Sequence, residues 1–62
     1  MTFKDAQIRA LYLARMKNET MYIFQDDTKE EEAYDIGNWN YAETWYQYTE
    51  PEAAAEPNGM IY

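Results

Sequence analysis

Thr20-Met21-Tyr22-Ile23-Phe24-Gln25 is the stretch on which the fold turns. Its residue types favour strand, and a two-residue period points Tyr22 and Phe24 to one face and Met21 and Ile23 to the other. Both faces therefore carry apolar weight. Immediately downstream, Asp26-Asp27-Thr28-Lys29-Glu30 has turn chemistry. Residues 32–36 then read as a short return strand with Ala33 opposed to Tyr34 and Ile36, which predicts a hairpin.

Upstream of this stretch the period changes from two to 3.6. Phe3, Ala6, Ala10, Leu13 and Ala14 share one stripe, and Ile8, Leu11 and Tyr12 form a second apolar flank beside it. Thr2 with Asp5 three residues later resembles a capping box. Arg15 and Lys17 in the last turn complement the helix dipole, and Asn18 is a stop signal. A helix over about residues 3–17 is expected.

Beyond the break at Gly37-Asn38, the Thr and aromatic residues of 43–49 predict a third strand, with Trp45 opposed to Thr44, Tyr46 and Tyr48. A helix from Tyr41 to Gln47 is the competing reading, since Tyr41, Thr44, Trp45 and Tyr48 also share a helical face. From Glu50 onward, Pro51-Glu52-Ala53-Ala54-Ala55-Glu56-Pro57 reads as a flexible acidic tail over 50–62, whose apolar end Met60-Ile61-Tyr62 can dock. The expectation is thus a single α+β domain over residues 1–49. In it one N-terminal amphipathic helix packs on a small antiparallel sheet of two or three strands, at about 20–25, 32–36 and 43–49.

At 62 residues the chain makes one domain at most. A chain this short buries only roughly 60% of the surface its unfolded form exposes, and a core of this size rarely supplies more than about 3–5 kcal/mol. It contains no cysteine and no histidine, which removes disulfides, thiolate or imidazole zinc sites and the usual nucleophile–base relays. Paired carboxylates are the remaining catalytic raw material, but Asp26-Asp27 and Glu30-Glu31-Glu32 fall in or beside a turn where burial cannot separate their pKa values. The same stretch lacks the central glycine and alternate acids of an EF-hand loop. No catalytic residue, cofactor or metal is expected.

No apolar run approaches the ~20 residues of a membrane span, and the opening residues lack the pattern of a secretory signal, which places the protein in a cytoplasm. The sequon Asn18-Glu19-Thr20 is then a chance match. Net charge is −7, unevenly spread. Residues 1–17 hold Lys4, Arg9, Arg15 and Lys17 against Asp5, whereas Lys29 is the only cation thereafter. Direct binding to nucleic acid or to an anionic membrane needs clustered cations, so neither is expected. The basic helix reads instead as a solvated face offsetting the acidic remainder.

The second half is crowded with Tyr34, Trp39, Tyr41, Trp45, Tyr46, Tyr48 and Tyr62. A domain this small cannot bury them all. Their neighbours are acids, which repel phosphate but suit a basic protein surface, because aromatics dominate hot spots and carboxylates pair with arginine. Partner-binding residues are therefore expected at Asp26, Asp27, Glu30, Glu31, Glu32, Asp35 and Glu43 for electrostatics, and at Trp39, Tyr41, Trp45 and Tyr46 as anchors. The acids after the first segment match the charge on roughly 19 Å of duplex DNA, a length comparable with the domain.

In size, acidity, missing Cys and His, and clustered Tyr and Trp, the chain resembles the very small acidic proteins of bacteriophages and mobile elements that inhibit host enzymes, including anti-restriction and anti-CRISPR proteins. The resemblance implies a non-enzymatic inhibitor of a basic, nucleic-acid-handling host protein, with mimicry of nucleic acid as a route. The alternative is a small assembly module, a homodimer formed through sheet edges or through the flank Ile8, Leu11 and Tyr12.

Overall fold

A computed structural model of the chain describes residues 2–25 and 34–62. Helix α1 (Phe3–Lys17) leads into strand β1 (Met21–Gln25), followed by β2 (Tyr34–Gly37), a short helix α2 (Trp39–Trp45) and β3 (Ala53–Ala55). The sheet order is β2-β1-β3, and both pairings are antiparallel. The architecture is α+β, with α1 on one face of the sheet and α2 on the other.

Local chemistry sets the bounds of α1. Thr2 Oγ1 accepts from the Asp5 amide at 3.1 Å, satisfying one of the free N–H groups at the helix start. At the other end Asn18 adopts a left-handed conformation with φ 54°, and the Glu19 amide donates back to the Ala14 carbonyl at 3.2 Å. Asparagine tolerates that conformation better than most residues.

The inner stripe of α1 is Ala6, Ala10 and Ala14, each fully buried. With Met21, Ile23, Ala53 and Ala55 these alanines form the core, and Phe3, Leu11, Leu13, Tyr34, Ile36 and Ile61 pack around it. Small side chains on both sides let the helix backbone lie close over the sheet. The register places Ile36 beside Ile23 on this face, and Asp35 beside Phe24 and Gly37 beside Tyr22 on the opposite one.

Two segments differ from the sequence expectation. Residues 43–49 are not a strand: α2 begins earlier, at Trp39, because Asn38 Oδ1 accepts from the Tyr41 amide at 3.0 Å and the Asn38 carbonyl accepts from Ala42 at 2.9 Å. The cap itself is fixed to the α1 end of the molecule, Asn38 Nδ2 donating to Glu19 Oε1 at 2.7 Å. Aromatic content favours strand only as a tendency, and a capped two-turn helix with a sheet to pack on overrides it.

Residues 50–62 do not form a free tail. They carry β3, which pairs with β1 in the register Met21↔Ala55, Tyr22↔Ala54 and Ile23↔Ala53. The chain then turns back at Glu56-Pro57-Asn58-Gly59, where the Gly59 amide donates to the Glu56 carbonyl at 3.0 Å and Gly59 has φ 97°. Proline second and glycine fourth are what such a turn requires. Reciprocal backbone bonds between Ala54 and Tyr62, at 2.7 and 3.0 Å, close the hairpin. Alanine is a weak strand former, but here it fits the space the α1 alanines leave.

Candidate functional site

The side of the sheet that carries α2 holds several exposed rings and acids, Trp39, Trp45, Glu43 and Glu50 among them. Tyr22 and Phe24 project from β1 toward α2, Tyr22 packing on Trp39 with centroids 5.7 Å apart and Phe24 stacking on Tyr46 at 4.3 Å with planes 3° apart. Between these two ring pairs lies a cleft of about 170 Å³. Phe24 and Ala42 are buried at its floor, Tyr22 and Tyr46 are half-buried in its walls, and Trp39, Glu43 and Glu50 are exposed at its mouth. Trp45 and Tyr48 stand outside the cleft, 70% and 93% exposed.

Asp35 anchors this layer from within. One carboxylate oxygen accepts the Tyr41 hydroxyl at 2.5 Å and the Tyr46 hydroxyl at 2.8 Å, while the other accepts the Ile36 amide at 3.0 Å. The tyrosines are half-buried with rings 6.2 Å apart. Hydrogen bonds from phenol donors to a carboxylate are strong and short, so the Asp35, Tyr41 and Tyr46 side chains help hold α2 to the sheet. Asp35→Ala removes the carboxylate that accepts from both phenols, and bonds to a charged group contribute about 1.5–3 kcal/mol. The urea midpoint is expected to fall by a corresponding amount, with no change in α1 helicity until the main transition.

The expected partner residues thus divide. Trp39, Glu43 and Trp45 are exposed to solvent on α2, Trp39 and Glu43 at the cleft and Trp45 outside it, whereas Asp35, Tyr41 and Tyr46 are half-buried and hold α2 to the sheet. Asp26, Asp27, Glu30, Glu31 and Glu32 lie outside the described residues. Tyr22, Phe24, Tyr48 and Glu50 also belong to this face. The alternation in β1 puts Tyr22 and Phe24 together on the face opposite Met21 and Ile23, and that is the sequence signal available for them.

Chemically the face offers apolar rings and carboxylates. Among the described residues no group of three or more His, Cys, Asp or Glu side chains could hold a metal ion, and none of the buried side-chain polar atoms lacks a hydrogen bond. Among those residues, too, no helix is long and apolar enough to cross a membrane. Comparison with known proteins returns no matching family model, no matching curated protein and no matching solved structure.

Proposed function

We propose that the protein acts by binding, through the α2 face, a protein with a basic surface, and so inhibits a partner that handles nucleic acid. One observation carries this reading: Trp39, Trp45 and Tyr48 stand exposed on a segment, residues 34–62, whose charged residues are Asp35, Glu43, Glu50, Glu52 and Glu56 with no lysine or arginine. Large exposed rings serve as anchors at interfaces, and acids around them steer a basic partner into register. Nucleic-acid-handling proteins present such basic surfaces. Occupying the surface, not turning over a substrate, is the means of action.

The test is capture of proteins on the immobilised chain at low and high salt, with Trp45→Ala in parallel. Captured proteins are expected to be basic, to release as salt rises, and to bind Trp45→Ala at least about thirtyfold more weakly, as truncating an anchor of about 2 kcal/mol requires. Capture of acidic proteins, indifferent to salt and to Trp45, refutes the proposal.

A second reading has its own observation. Ile8, Tyr12 and Met16 recur at helical spacing along the outer face of α1 and are 59%, 61% and 67% exposed, a stripe that suits a homodimer in which the acids only confer solubility. A dimer in sedimentation equilibrium that Tyr12→Lys dissociates, with no other protein bound, favours this reading over the first.

A further inference from the structure

We infer that the cleft under α2 is a receptor for a single cationic side chain, an arginine or lysine of the protein partner. The inference deepens the proposed use of the α2 face and rests on it. Size comes first: about 170 Å³ is well below the ~300–1,000 Å³ of pockets for cofactors and drug-sized ligands, and suits one long side chain. The lining is aromatic, with Tyr22, Phe24, Trp39 and Tyr46 among its residues, and aromatic side chains attract cations. At the mouth stand the exposed carboxylates of Glu43 and Glu50.

Charge decides between a cationic and an apolar occupant. None of the described residues lining the cleft is basic, and no ion pair among the described residues engages Glu43 or Glu50. An apolar side chain entering here partly desolvates both carboxylates and gives nothing back. An arginine or lysine lays its methylene stem along the rings while its charged head meets the acids.

Titration of the isotope-labelled protein with N-acetyl-argininamide and, separately, N-acetyl-norleucinamide tests the inference, because the two probes share a three-methylene stem and differ only in whether it ends in a guanidinium or a methyl group. The arginine probe is expected to shift the Trp39 indole N–H and the Tyr22 and Phe24 amides saturably, with half-saturation at least tenfold below that of the norleucine probe. The double substitution Glu43→Gln, Glu50→Gln should weaken the arginine probe about tenfold and leave the norleucine probe unchanged, the amide spectrum itself reporting that the variant is folded. Equal binding of the two probes, indifference to the double substitution, or no saturable shift overturns the inference. If it is overturned while Trp45→Ala still releases basic partners, the cleft is removed as a subsite and the docking face stands.

Discussion

Alanine at position 37 is expected to unseat α2 from the sheet. Gly37 is buried at the end of β2, and a Cβ placed there falls inside the Tyr41 side chain, against Cδ1 and 2.6 and 2.7 Å from Cγ and Cβ. A rotamer change moves Cγ and Cδ1 but not Cβ, whose place is fixed by the Tyr41 backbone, so the first turn of α2 has to move. Movement there breaks the Tyr41 bond to Asp35 and loosens the Asn38 cap. Overpacking of this kind destabilises by about 1–3 kcal/mol and occasionally more, and the rigid obstacle puts Gly37→Ala at the upper end. Near-ultraviolet dichroism should collapse while the far-ultraviolet signal of α1 partly survives. An unchanged urea midpoint together with unchanged near-ultraviolet bands contradicts this account of how α2 is seated.

Phe24→Ala is expected to unfold the chain outright. Phe24 is 1% exposed and stacks on Tyr46 beneath α2. Removing a buried phenylalanine side chain destabilises by about 3–5 kcal/mol, which equals the whole margin of about 3–5 kcal/mol available to a domain of this size. The variant should show the narrow amide dispersion of an unfolded chain at room temperature, and Phe24→Leu should recover much of the wild-type spectrum. A cooperative thermal transition in Phe24→Ala near that of the parent rules this estimate out.

The parts of the fold legible in the sequence are those whose signals are local. Helix α1 announces itself through Thr2, the alanines spaced at four residues and Asn18, all of which act within a turn or two. β1 is equally plain from its alternation. Ala53–Ala55 is not, because alanine has little strand preference and acquires this one only from Met21, Tyr22 and Ile23, some thirty positions away in the chain. The turn at Glu56-Pro57-Asn58-Gly59 was the legible clue that the chain reverses there. α2 was obscured in the opposite sense, since its rings suggest strand and its helical state depends on the Asn38 cap and on a sheet face to cover.

The candidate site divides along the same line. That some large rings must stay exposed follows from chain length, and Trp39, Trp45 and Tyr48 bear it out. Which rings go inward depends on Asp35 reaching tyrosines six and eleven residues ahead, a pairing that exists only once α2 lies across β2. Asp35, expected among the steering charges, is engaged within the fold by the Tyr41 and Tyr46 hydroxyls and the Ile36 amide.

The alanine seam between α1 and β3 and the ring layer beneath α2 stand on opposite sides of one thin sheet. The first is filled by methyl groups and leaves no room for growth, so change there is punished whatever the chain binds. The second has an outermost row, Trp39, Glu43, Trp45 and Tyr48, that solvent already reaches. Drift can therefore rewrite recognition residue by residue on one side while the scaffold on the other is left undisturbed.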